Sequence, residues 1–172
     1  MAALATRVSR RANALVWLVL SAILIVLDQW TKHVVLGHLQ EGVPIPVVPG
    51  FLNWMLAFNT GAAFSFLADA GGWQRWGFSA LAVLISLVLT VWLARTPRRD
   101  WLTALPLSLV VGGAIGNLID RLRFGHVVDF IQVYHGDWTF PAFNVADSAI
   151  SVGAVLLALA SLRSAKEEGL GR

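Results

Sequence analysis

The chain has 172 residues, 57% of them hydrophobic and only 13% charged, with a mean hydropathy of +0.69. A soluble fold this short cannot hide so much apolar surface, so lipid must cover much of it. The absence of cysteine excludes disulfides, thiolate zinc sites and cysteine nucleophiles, and the small net charge of +3, with basic residues at the ends of apolar runs, speaks against nucleic acid as a partner.

Four apolar stretches stand out, at about Ala14–Val35, Trp76–Ala94, Trp101–Ile119 and Ala142–Leu162. Each holds roughly the 20 residues that cross about 30 Å of hydrocarbon at 1.5 Å per residue. The first is a retained span rather than a cleaved leader, because Asp28 and Lys32 interrupt its end and no small-x-small site follows before Gly37. The expected fold is a single all-α membrane domain of four helices. A cytoplasmic loop of about Arg95–Asp100 and two outer loops, about Leu36–Arg75 and Asp120–Pro141, join them.

Orientation follows from Lys and Arg. Nine of the thirteen (Arg7, Arg10, Arg11, Arg95, Arg98, Arg99, Arg163, Lys166, Arg172) fall on one side, which places both termini in the cytoplasm. The longer loops then lie outside, and function is expected where the extra chain is.

In the first outer loop, Val43–Gly50 carries three prolines and reads as an extended edge segment ending in a turn. Phe51–Phe58 alternates like a strand, with Leu52, Trp54, Leu56 and Phe58 on one face and Asn53, Met55 and Asn59 on the other. A small sheet lying on the bilayer is expected. Asn59 to Ala63 suggests a turn into a short helix. In the second loop Val127–Tyr134 reads as a strand and His135-Gly136-Asp137 as a turn.

Acids at membrane depth mark functional candidates. On the third span Gly113, Asn117, Asp120 and Arg121 follow helical spacing, and Gly112 with Gly116 allows close helix packing. The bland alternative is a packing face topped by an ion pair with Arg121 turned outward. Asp129, among β-branched and aromatic neighbours, is either exposed on a strand's wet face or desolvated. Asn144 at a helix N-cap would put Asp147 at the third helical position, which fits capping as well as catalysis. Val145–Leu162 still supplies 18 residues, about 27 Å of helix, so Asp147 belongs at the outer end of the last span.

Together these regions favour chemistry. Asp129 and Asp147 are joined by a short hairpin, and two neighbouring carboxylates that share a proton can serve as general base and general acid in peptide hydrolysis. No His-Glu-x-x-His zinc signature occurs; His33, His38, His126 and His135 are scattered. Ser148 has no histidine at a suggestive position.

At these residues the chain resembles the bacterial lipoprotein signal peptidases (signal peptidase II). The matching blocks begin with Leu27-Asp28-Gln29-x-x-Lys32 and Asn59-Thr60-Gly61-Ala62-Ala63-Phe64-Ser65. They continue with Gly112-Gly113-Ala114-Ile115-Gly116-Asn117-Leu118-Ile119-Asp120-Arg121, Val127-Val128-Asp129-Phe130 and Phe143-Asn144-Val145-Ala146-Asp147-Ser148. The resemblance implies an inner-membrane aspartyl endopeptidase of four spans with a small extracytoplasmic β-sheet and no cofactor or metal. It implies a catalytic pair, Asp129 and Asp147, and substrate-binding or site-ordering roles for Asn59, Asn117, Arg121 and Asn144. Asp28, Lys32, Gly61 and Asp120 would support them. The implied substrate is prolipoprotein carrying diacylglyceryl on its lipobox cysteine, cut just before that cysteine. Membrane lipid and globomycin-like inhibitors are the other expected partners, and a monomer is the expected state. A proton- or cation-coupled transporter using Asp28, Asp129 and Asp147 is the competing reading, though four spans without an inverted repeat suit it poorly. A purely structural assembly factor would not need two acids so placed.

Overall fold

The computed structural model describes residues 13–61 and 72–170, with side chains as far as 162. A short 3-10 turn, Ala14–Trp17, runs into helix α1, Leu18–His38. Helices α2, Trp73–Arg95, α3, Trp101–Phe124, and α4, Val145–Leu170, complete a set of four. All four contain stretches long and apolar enough to cross a membrane.

Helix α3 is the centre of the bundle, packing against the other three. Of its most apolar window 56% is buried within the protein, against 17% for each of the others. Its sequence explains this. Gly112, Gly113 and Gly116 present no side chain, so neighbours come close: a Cβ on Gly112 would meet the Ser21 backbone at 3.1 Å, one on Gly113 would overlap the Ala146 carbonyl oxygen, and one on Gly116 would sit 2.8 Å from Asp28 Oδ2. Asp100 caps α3, accepting from Thr103 N at 3.2 Å. Gly125, at φ +83°, ends it with a left-handed turn. The helix therefore runs five residues past Ile119, and Asp120 and Arg121 stand inside its last turns instead of opening a loop.

The sheet is four-stranded and antiparallel, ordered β1 (Ile45–Val48), β2 (Leu52–Asn59), β3 (Val127–His135) and β4 (Trp138–Thr139). The even alternation expected along β2 fails. Asn53 and Leu56 are buried while Trp54 and Phe58 are exposed, because the register slips between Trp54 and Ala57. Trp54 pairs with Ile131, yet Ala57 pairs with Asp129 and Asn59 with Val127. Had the ladder run on from Trp54 without that extra residue, Asn59 would oppose His126 and point away from Asp129. The bulge turns it onto the Asp129 face. The short helix expected to open at Ala62 and Ala63 lies outside the described residues.

One contact couples the sheet to the last helix. Phe143 N donates to Ile131 O at 3.0 Å, and Phe143 O accepts from both Phe130 N and Ile131 N. This bridge fixes the chain just before α4 against β3, which brings Asn144 beside Asp129.

Candidate active site at the outer end of the bundle

Asp129 hangs from β3 and is only 2% exposed, so of the two readings open in the sequence the desolvated one is realised. Its oxygens accept from two asparagines: Oδ1 from Asn144 Nδ2 at 2.7 Å and Oδ2 from Asn59 Nδ2 at 3.2 Å. Burial, and then the charge of Asp147, push its carboxyl up to about 7, against the lowering effect of the two asparagines and of Lys32. Burial therefore brings the protonation of this group into the neutral pH range.

Asp147 stands in the first turn of α4 and is half-buried. Asn144 and Asp147 form a reciprocal cap: Asp147 N donates to Asn144 Oδ1 at 2.8 Å, and Asn144 N donates to Asp147 Oδ2 at 3.3 Å. Capping and a place in the site are thus compatible. Asp147 Oδ1 accepts from Asn117 Nδ2 at 2.7 Å.

Asn144 joins the two acids. Fully buried, it spreads its amide hydrogens over Asp129 Oδ1, Asn117 Oδ1 at 3.1 Å and Val128 O at 3.2 Å. The Ser148 hydroxyl is turned back onto Asn144 O at 2.9 Å, as in many helices, and is poorly placed as a nucleophile.

Beneath the pair lies a second polar cluster. Lys32 Nζ is 2.8 Å from both Asp28 Oδ2 and Asp120 Oδ2, and it donates to Asn117 Oδ1 at 3.0 Å. Asp28 Oδ1 accepts from Ala146 N and Asp120 Oδ2 from Val128 N, tying α1 and α3 to the two segments that carry the catalytic candidates. Gln29 completes it, its Nε2 reaching Asp120 Oδ1 at 2.8 Å, Gly116 O at 3.2 Å and Asp28 Oδ2 at 3.3 Å. Sequence reasoning gave Gln29 no role, although it stands in the matching block Leu27-Asp28-Gln29-x-x-Lys32.

The helical face drawn through Gly113, Asn117, Asp120 and Arg121 divides in three dimensions. Gly113 meets α4 and Asp120 meets α1, while Arg121, about 100° further round, lies against α2 with its guanidinium 5.3 Å from the Phe78 ring. The outward ion pair of Asp120 with Arg121 is not formed, because Lys32 holds Asp120. Arg121 Nε is buried and has no hydrogen-bond partner among the described residues. With Asn59, Phe140, Phe143, Asp147 and Ser148, Arg121 lines an open cleft of about 620 Å³. Gly61 also lines it; its N–H donates to Asn59 Oδ1 at 3.1 Å, and a Cβ there would press on Gln74 Cβ at 2.9 Å. Among the described residues no three His, Asp or Glu side chains converge as metal ligands would.

Fold and site together define a multi-pass membrane protein with a paired-carboxylate centre open to a cleft at one end of its bundle. The family described as signal peptidase (SPase) II matches residues 20–163, and this chain belongs to it. It is therefore a protease of the bacterial inner membrane. It is 61% identical to a lipoprotein signal peptidase of Xanthomonas campestris pv. campestris over 92% of this chain and 96% of that one. A lipoprotein signal peptidase of Xylella fastidiosa is 60% identical over 90% and 92%. Two structures of a bacterial membrane enzyme solved by the in meso method, at 2.3 and 1.9 Å, superpose with TM-scores of 0.78 and 0.73. Both are 30% identical to this chain, covering 88% and 86% of it and 90% and 92% of their own length. The transporter reading has no support in these likenesses.

Proposed function

We propose that the chain is an aspartic endopeptidase that removes signal peptides from diacylglyceryl-modified prolipoproteins, with Asp129 and Asp147 as its catalytic pair. One observation carries this reading: two aspartates from different elements share Asn144, Asp147 lines an open cleft, and Asp129 behind it is raised to about 7 by burial and by the charge of Asp147. A pair that holds a single proton near neutral pH is what water attack on a peptide requires.

Asp147, at the positive end of α4, is the base that takes a proton from water. Protonated Asp129 donates to the scissile carbonyl oxygen as the water oxygen bonds to carbon. Collapse of the tetrahedral adduct breaks the C–N bond as one of its two hydroxyl protons returns to Asp129. The proton taken up by Asp147 passes to the leaving nitrogen, so the products are the signal peptide's carboxylate and a free amine on the lipidated cysteine. Arg121 and Asn59 face the cleft and bind the extended peptide or headgroup oxygens. Asn117 and Asn144, whose polar atoms are engaged inside the protein, order the pair. Both termini are cytoplasmic and the site faces outward, as the distribution of Lys and Arg supports. Both aspartates come from one chain, which supports a monomeric enzyme. Globomycin-like cyclic peptides inhibit it by occupying the cleft.

The lipid requirement tests this reading. A diacylglyceryl anchor concentrates substrate in the bilayer and also sets the depth of the scissile bond. Modified and unmodified prolipoprotein, compared in the same membranes at matched bilayer concentration, should differ widely in initial rate. Equal rates would refute an anchor-positioned substrate.

A further inference from the structure

The Lys32 cluster touches the catalytic pair through one side chain, and that contact has a direction. An ammonium group has three donors and no acceptor. All three donors of Lys32 are used, on Asp28 Oδ2, Asp120 Oδ2 and Asn117 Oδ1, with Lys32 itself only 2% exposed. The atom of Asn117 facing Lys32 is therefore its carbonyl oxygen, and its amide nitrogen must face the other way. There it meets Asp147 Oδ1 at 2.7 Å. The other two asparagines are also held by groups that cannot reverse. Asn144 Oδ1 accepts from a backbone N–H and its Nδ2 donates to the Val128 carbonyl; Asn59 Oδ1 accepts from Gly61 N. Of the three, only Asn117 has its oxygen held by a charged side chain, with Asn144 Nδ2 as a second, neutral donor.

We propose that Lys32 is a positioning residue that, by holding Asn117 Oδ1, turns the Asn117 amide N–H onto Asp147 and so keeps Asp147 as the ionised member of the pair and leaves the proton on Asp129. Without Lys32, Asn117 Oδ1 keeps only the neutral Asn144 Nδ2 donor at 3.1 Å, which is shared with Asp129 Oδ1 and Val128 O, and the amide can turn its oxygen toward Asp147. That oxygen finds a donor only if Asp147 is protonated, and a protonated Asp147 is no base. The charged groups around the pair are Arg121 on α3, the Lys32–Asp28 couple on α1 and Asp120 on α3; the contacts from α4 and β3 are the backbone and asparagine donors already named. The hydrogen bonds described at Asn59, Asn117 and Asn144 involve no atom of Arg121, so among the described residues it does not set an amide's direction as Lys32 does. This inference rests on the catalytic pair proposed above and adds to it which member is the base and what holds it so.

A double-mutant cycle between Lys32→Met and Asn117→Leu tests it, read as kcat and KM on diacylglyceryl-modified prolipoprotein in membranes. Both are made in an Asp28→Asn background, so that loss of the cation strands one buried carboxylate instead of two. Each substitution should lower kcat about 100-fold, the lower range for a misplaced base, with KM unchanged. The double variant should be no slower than Asn117→Leu alone, because the one hydrogen bond from Lys32 toward the pair runs through Asn117 and its direct charge effect favours ionised Asp129, so losing that effect does not slow the reaction. Additive losses, or a loss confined to KM, overturn the proposal. Should Lys32→Met not fold, Asn117→Leu with Lys32 in place decides the matter, because it removes the donor to Asp147 without adding a charge: it should be about 100-fold slower, and wild-type turnover would overturn the proposal. Activity persisting in Asp147→Asn would instead remove the catalytic pair itself, so the two failures are distinguishable.

Discussion

Two polar clusters stand one above the other at the same end of this bundle, built from the same residue types, and they differ in how far they are closed. Around Lys32 one cation meets two carboxylates. The surplus negative charge is absorbed by N–H groups of Gln29, Val128 and Ala146, with every member but Gln29 almost fully buried. Around Asp129 and Asp147 the donors are neutral asparagines, no cation is within hydrogen-bond reach among the described residues, and one carboxylate looks into a cleft. A sealed, paired cluster inside apolar surroundings has one stable protonation state and one geometry. An unpaired couple of acids has two protonation states close in energy, and such a couple can pass a proton to a substrate.

The largest expected effect breaks the open cluster. Asp129→Asn and Asp147→Asn should each lower cleavage of modified prolipoprotein about 1,000-fold or more, and the double variant should be no worse because the two act as a unit. Thermal melts in detergent should show all three folded. Substantial turnover in either single variant would end the comparison, since the upper cluster would then be structural too.

The lower cluster should fail differently. Lys32→Met leaves two buried acids without their cation and should destabilise the fold by about 3–5 kcal/mol, measured by thermal or chemical unfolding. A smaller injury to the same place comes from Gly116→Ala. The added methyl lands 2.8 Å from Asp28 Oδ2, and overpacking of this kind costs about 1–3 kcal/mol. A melting temperature equal to the wild type's would mean that α1 and α3 are not held at the described distance.

Titration sharpens the contrast. A carboxyl raised to about 7 keeps its proton up to that pH and loses it above. The singly protonated pair is therefore depleted as pH rises through about 7, and kcat should fall tenfold for each further unit. A rate that stays flat from pH 6 to about 9 would contradict the role given to Asp129. At the small end, Asp137→Asn in the turn between β3 and β4 lies in neither cluster, and both activity and stability should stay within about 0.5 kcal/mol of the wild type.

What was legible in the sequence was whatever depends on local pattern. Apolar runs of about 20 residues need no partner to be recognised, because the bilayer sets their length. The glycines of α3, the capping pair Asn144 and Asp147, and the motif blocks that mark the family were likewise visible as spacing along the chain.

Distances across the chain were decided only by tertiary structure. Asp120 stands next to Arg121 in sequence, yet the helix turns them apart and Lys32, 88 positions away in numbering, claims the acid. Asn59 reaches Asp129 because one extra residue in β2 reverses the alternation, and strand patterning at period two cannot reveal such an insertion. Gln29 looked like a neighbour of a candidate and turned out to bind two carboxylates and a carbonyl. The burial that raises Asp129 was equally out of reach, since the same strand sequence serves on a wet face or a dry one. Its environment depends on Phe143 docking against β3 and bringing Asn144 over it, a long-range hydrogen-bonded contact that no local pattern encodes.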